Sequence, residues 1–263
     1  MLLGFDDDLA AEATRTSKRI RGLLTAIHPH LERVIGPRIR HPAVLDLLEH
    51  YGSLGAIAQA GLAEITEVLR PGAPRMAGRL AAEILGALEE QTVVVPGTNS
   101  AAIILPSLAA SLRTVLDQRK KLAANIEELL VAHPLSKALT SMPGVGVRTG
   151  ARILAEIGDA SAFPTAAHLA AYAGLAPVTR RSSSSIRGEA PPRRGKRLLK
   201  RAFFLAAFAS PADPASRTYY DRKIAEGKRH NQALICLARR RSDVIFAMLR
   251  NGPFYLPFIP PAT

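Results

Sequence analysis

Four consecutive serines, Ser182 to Ser185, stand between Arg180-Arg181 and Arg187, with Arg193, Arg194, Lys196 and Arg197 close behind. A serine hydroxyl is a poor nucleophile at neutral pH unless a base or a cationic setting stabilises its alkoxide. Guanidinium groups supply that setting and also offset charge growing on a phosphate under attack. A serine of this run is therefore chemically fit to attack a phosphodiester, with Arg180, Arg181, Arg187, Arg194 and Lys196 as candidate phosphate contacts. The alternative is a flexible Ser/Arg loop that only grips a backbone.

A second signal lies upstream in Met142-Pro143-Gly144-Val145-Gly146-Val147-Arg148-Thr149. A short helix leads into Pro-Gly-Val-Gly, and a second helix begins near Val147. The glycines permit a tight turn and close approach of backbone to a ligand. The amides that open the second helix then face outward with the positive end of its dipole behind them, a geometry that holds a phosphate without reading sequence. Pro143, Gly144, Val145, Gly146, Arg148 and Thr149 are the candidate contacts, and Arg152 lies within reach. The pattern resembles the helix–hairpin–helix of DNA repair and recombination proteins; an ordinary glycine turn between core helices is the alternative.

Charge supports a polyanionic partner. The chain of 263 residues carries a net charge of +13. Residues 178–250 hold 18 Lys/Arg and 5 Asp/Glu, while the remainder holds 17 of each sign and balances. A field so concentrated calls for a polyanionic partner, which beside the hairpin is expected to be double-stranded DNA; a solvated basic face with no partner is the alternative. Hydrophobic residues make up 48% of the chain, enough for a packed core. The lone Cys236 excludes a disulfide framework and a cysteine zinc site. Aromatics at 5% with no Trp argue against base-stacking platforms. The longest strictly apolar run, Ala202–Ala209, is short of the roughly 20 residues a membrane span needs. The expectation is a soluble, cytoplasmic protein with no membrane partner.

The elements that must position these residues read as helices nearly throughout, so the expected fold class is all-α. Asp6–Ile27 has helical spacing, with its acids suited to an N-terminus, and His28-Pro29-His30 reads as a loop rather than a metal site. Ala43–Tyr51, Leu54–Ala60, Leu62–Leu69 and Arg75–Glu90 are short helical pieces punctuated by Gly52, Gly61 and Pro71-Gly72. Val93–Asn99 reads as a loop or one short strand. Leu108, Leu112, Val115, Leu122, Ile126 and Leu129 form a heptad stripe interrupted at Arg119. It is either one helix of a bundle or a coiled coil that makes the protein a homo-oligomer. Phe203, Phe204 and Phe208 read as core. Arg239-Arg240-Arg241 is either a phosphate clamp or a solvated stripe. The expected organisation is a leading helix (1–35), a helical packing region (36–100), a coiled-coil-like helix (101–133), a helix–hairpin–helix domain (134–252) and a disordered tail (253–263).

Taken together, the segment Met142–Thr149, Leu169-Ala-Ala-Tyr-Ala-Gly-Leu-Ala-Pro177, the serine loop ending Ser185-Ile-Arg-Gly188, Arg194-Gly195-Lys196, Leu199-Lys-Arg-Ala202 and Tyr219-Tyr220 resembles the transposases of the insertion sequence one-ten family, the serine/DEDD, bridge-RNA-guided recombinases. That resemblance implies a serine nucleophile in a C-terminal transposase domain, preceded by a RuvC-like domain with metal-binding acids and a coiled coil. Its motif Ser-Gly-x-Ser places the nucleophile at Ser182, and Ser183 replaces the family glycine. It also implies Mg²⁺ and a structured guide RNA for the intact enzyme, although no metal-binding residues are evident in this chain. The chain begins with what resembles the helix after the RuvC-like domain, so an N-terminally truncated, defective transposase is expected. The alternatives are a non-catalytic DNA-binding remnant or dominant-negative partner, and an RNA-binding helical protein.

Overall fold

The computed structural model describes residues 1–91, 93, 95–182, 185–190, 192, 194–252 and 254–256, with backbone alone for 179–189. It falls into two compact units, Met1–Leu122 and Ala123–Thr263.

The first unit is helical. It contains α1 (Leu2–Ile27), α2 (Pro29–Ile35), a short 3₁₀ turn (Gly36–Arg38), α3 (Pro42–Tyr51), α4 (Leu54–Leu69), α5 (Ala77–Glu89) and most of α6 (Thr98–Val131). Helix α1 starts a turn earlier than the acids suggested, so Asp6 lies inside it and meets Arg119 instead. The two side chains form a bidentate, largely buried pair at 2.9 and 3.3 Å. Arg119 therefore interrupts the apolar stripe of α6 to satisfy a buried carboxylate. Helix α2 was missed because Pro29 looked like a breaker. Proline in fact opens the helix, where its missing N–H costs nothing, and His28 caps it by accepting from the Leu31 amide at 3.2 Å. Gly61, at φ +74°, breaks α4 into the two pieces its sequence suggested.

Helix α6 runs through Pro106 and begins at Thr98, inside the stretch expected to be a loop or strand. Leu108, Leu112, Val115, Leu122 and Ile126 are already buried within the single chain, whereas Leu129 is 62% exposed and Leu130 takes its place inside. The stripe is occupied by this chain's own packing, which favours the bundle alternative over a seam kept free for a second copy. By length and composition, α6 alone among the described helices could cross a membrane. A search for strictly apolar runs overlooks it, yet core helices pass the same test.

The second unit contains the last turns of α6, then α7 (Ser136–Thr140), α8 (Val147–Ile157), α9 (Ala166–Tyr172), β1 (Val178–Ser182), β2 (Ser185–Ala190), α10 (Arg197–Phe208), α11 (Pro214–Ala225) and α12 (His230–Asn251). The all-α class holds, and within it the basic loop is a two-stranded antiparallel hairpin. Phe203, fully buried, centres a core that takes Leu139, Met142 and Val145 from the α7–α8 turn, Ile153 and Ile157 from α8, and Leu237 and Ile245 from α12. Phe208, expected inside, is 55% exposed. The tail is tied down as far as Tyr255, whose amide donates to Ser141 Oγ at 2.9 Å. The rest of the expected disorder lies outside the described residues.

Candidate nucleic-acid interface

The turn between α7 and α8 divides its residues between packing and exposure. Val145 is 5% exposed and plugs the core as expected. Gly144 sits at φ +80°, and a Cβ there would stand 2.3 Å from the Ala206 carbonyl oxygen and 3.1 Å from Ala209 C and Ser210 N. Its lack of a side chain lets the turn pack on the end of α10, not on a ligand. The Pro143 carbonyl accepts from the Arg241 guanidinium. Gly146 differs: it is exposed, extended at φ −88° and ψ −180°, and a Cβ would meet nothing within 4 Å.

Gly146 is also the N-cap of α8 and, as a glycine, brings no side chain of its own to cap that end. The first amides of a helix have no intrahelical partner. Here those of Val147, Arg148 and Thr149 follow an exposed glycine, with no acid in the first turn and Arg148 exposed beside them. Pro143, Gly144 and Val145 thus set the turn, and residues 146–149 present the donors. One turn further on, Arg152 approaches Glu156 at 3.8 Å, and Glu156 also takes Lys196 Nζ at 3.3 Å.

That Lys196 contact belongs to the base of the hairpin. Gly174 (φ +68°) and Gly195 (φ +120°) cross so closely that a Cβ on Gly195 would lie 2.6 Å from Gly174 Cα and N. The Lys196 amide donates to the Tyr172 carbonyl at 2.8 Å. The glycines of Ala-Gly-Leu-Ala-Pro and Arg-Gly-Lys are therefore one feature: a backbone crossing that pins the hairpin to α9. From that base the strands pair Val178 with Ala190 and Thr179 with Glu189, slip register before Arg181, and close with Ser182 opposite Ser185. Ser182 thus ends β1 at the tip. The side chains of Arg180, Arg181, Ser182 and Arg187, and all of Arg193, lie outside the described residues; Arg194 is exposed.

The arginine triplet of α12 separates into three environments, and neither expected reading covers them all. Arg239 pairs with Asp243. Arg240 lies over the Tyr219 ring at 5.1 Å, a cation–π contact that Arg222 shares at 4.9 Å. Arg241 is 2% exposed and donates to Ser216 Oγ at 3.1 Å as well as to Pro143. Burial lowers its pKa to about 10, which leaves it charged at neutral pH. It ties the α7–α8 turn to α11 from beneath. Among the described residues, no group of three or more His, Cys, Asp or Glu is placed to hold a metal. The described residues therefore do not fit a Mg²⁺ site.

Residues 136–221, which span the turn, the crossed glycines and the hairpin, match the model of the transposase IS116/IS110/IS902 family. This segment is therefore similar to the transposases of that family. The chain is 64% identical over 256 residues to an uncharacterised 43.6 kDa protein of insertion element IS110 from Streptomyces coelicolor, covering 97% of this chain and 63% of the relative. It is 41% identical over 256 residues to the 42 kDa protein of IS900 from Mycobacterium paratuberculosis, covering 95% and 63%. A pilin gene-inverting protein of Moraxella bovis is 35% identical over 120 residues, covering 44% of this chain and 37% of its own length. The chain thus spans less than two thirds of the length of these curated relatives.

Sequence reasoning missed one basic site. The balanced charge outside residues 178–250 conceals residues 14–41, which hold seven Lys/Arg and one Glu. A local count would have found it.

Proposed function

We propose that this chain engages duplex DNA in the transposition of an insertion element, and that its transposase domain attacks a DNA phosphodiester through Ser182. The observation that carries the reading is the family match across residues 136–221, the segment containing both the glycine-led α8 turn and the pinned hairpin. The amides of residues 147–149 and Arg148 hold a backbone phosphate without reading sequence. Ser182 Oγ attacks phosphorus, the bond from phosphorus to the leaving sugar oxygen breaks, and the serine proton reaches that oxygen through solvent. Arg180, Arg181, Arg187 and Arg194 offset the developing charge. A structured guide RNA and Mg²⁺ belong to this proposal as partners of the whole enzyme.

The second reading is a non-catalytic DNA binder. It draws support from the absence, among the described residues, of a carboxylate cluster fit for a metal. Incubation with nicked duplex substrates followed by denaturing electrophoresis separates the two. A DNA adduct that survives denaturant and is lost in Ser182→Ala supports the nucleophile. An adduct retained in Ser182→Ala refutes that assignment, and salt-sensitive binding without any adduct favours the binder.

A further inference from the structure

We propose that the first unit carries a separate phosphodiester-binding cleft, centred on Arg40 and Lys18, which holds a nucleic-acid backbone independently of the transposase domain. Between α1 and the segment 36–42 lies a cleft of about 670 Å³ lined by Lys18, Arg21, Arg38 and Arg40, with no Asp or Glu in its lining.

Arg40 is held in place without being neutralised. Its Nε donates to Ser17 Oγ and its Nη2 to Thr14 Oγ1, each at 3.0 Å. Both hydroxyls spend their own protons on α1 carbonyls, Ser17 on Ala13 at 2.6 Å and Thr14 on Ala10 at 2.8 Å. They can therefore only accept from the guanidinium. A guanidinium has five N–H donors; no carboxylate pairs with this one among the described residues, and its remaining donors are free for an anion. Lys18, one residue after Ser17, is exposed and likewise has no ion pair there.

The flanking cations are partly neutralised. Arg21 pairs with Glu32 at 2.6 Å, and Arg38 reaches Glu83 at 3.7 Å. Gly36 closes over the first pair: a Cβ there would meet Glu32 Oε1 at 2.4 Å. The wall of the cleft is thus a fixed, narrow fit around a paired arginine, while Arg40 and Lys18 stay unpaired at its mouth. Neutral hydroxyls thus order this arginine while leaving its charge uncompensated. A planar fork plus an ammonium suits the non-bridging oxygens of a phosphodiester.

The test is the salt dependence of binding by the full chain to two probes, a 20-base-pair duplex DNA and a single-stranded RNA of equal length. Lys18→Ala/Arg40→Ala is expected to lower the slope of log K against log salt by about 2 on duplex, or about 1.4 on single strands. On duplex, wild-type affinity then falls roughly tenfold further than the variant's between 50 and 200 mM salt. Because Arg40 also links α1 to residues 36–41, Lys18→Ala alone serves as the variant that cannot disturb folding, with an expected slope change of about 1. A change on duplex assigns the cleft to DNA, on RNA to RNA, and on both to either backbone. Unchanged slopes on both probes in Lys18→Ala and the double variant overturn the proposal. Gly146→Ala, measured alongside, reports on the transposase domain separately, so either site can fail without the other.

Discussion

Two glycines two residues apart are expected to fail in opposite ways when each receives a methyl group. In Gly144→Ala the new Cβ lies 2.3 Å from the Ala206 carbonyl oxygen, at a φ of +80°. Strain at that φ costs about 1–2 kcal/mol, and displacing packed backbone costs about 1–3 kcal/mol more. The sum, roughly 2–5 kcal/mol, corresponds to a fall in Tm of roughly 6–15 °C for a chain of this size. In Gly146→Ala the Cβ meets nothing and the backbone is ordinary, so the cost is at most that of a poorer N-cap, under about 1 kcal/mol. The methyl group does, however, stand where a phosphate would approach the α8 amides. Loss of one charge-assisted hydrogen bond, about 1.5–3 kcal/mol, weakens duplex binding by roughly tenfold or more. Thermal melts and fluorescence anisotropy on the full chain measure both effects. Gly146→Ala binding as tightly as wild type would remove the α8 turn as the phosphate site. Gly144→Ala melting with wild type would contradict the packing account of Gly144.

Other perturbations have equally defined outcomes. Gly195→Ala should unpin the hairpin by driving a Cβ into Gly174; faster amide hydrogen exchange across residues 178–190, with α10 still protected, is the expected signature. Arg241→Ala removes donors from Pro143 and Ser216 and leaves a cavity beneath the turn, costing about 2–4 kcal/mol by denaturant titration. Burial holds the His28 pKa below 6.5, with His30 adding to the shift. The unfolded chain therefore takes up the proton first. Stability is full above about pH 6.5 and declines as pH falls through the folded-state value. Because the cap needs an unprotonated Nδ1, His28→Asn should flatten that acid decline in melts of the first unit.

Much of the second unit was legible because its signals are local. Thr165 caps α9, accepting from the His168 amide at 3.3 Å, and Gly174 ends that helix, as the sequence indicated. Val145 was assigned between the helices and is there. What stayed hidden depends on partners distant in the chain. Gly144 and Gly146 look alike in sequence; only the end of α10, some sixty residues away, separates a packing glycine from an exposed one. Arg241 sits in a run of three arginines, and nothing local shows that one of them is buried under a turn 98 residues upstream. Phe208 follows the periodicity of a core helix, yet α10 ends with that face open. The hairpin was hidden because serine and arginine favour no strand; the Gly174–Gly195 crossing fixes its base and Ser182–Ser185 closes its tip.

On the proposed function, residues 136–221 grasp the duplex backbone electrostatically. Equilibrium binding of the full chain to an arbitrary duplex across 25–300 mM salt tests it most directly. A steep linear fall of log K with log salt, made shallower by Arg148→Ala and weakened by Gly146→Ala, is the predicted result. No measurable affinity for duplex at 25 mM salt would contradict it.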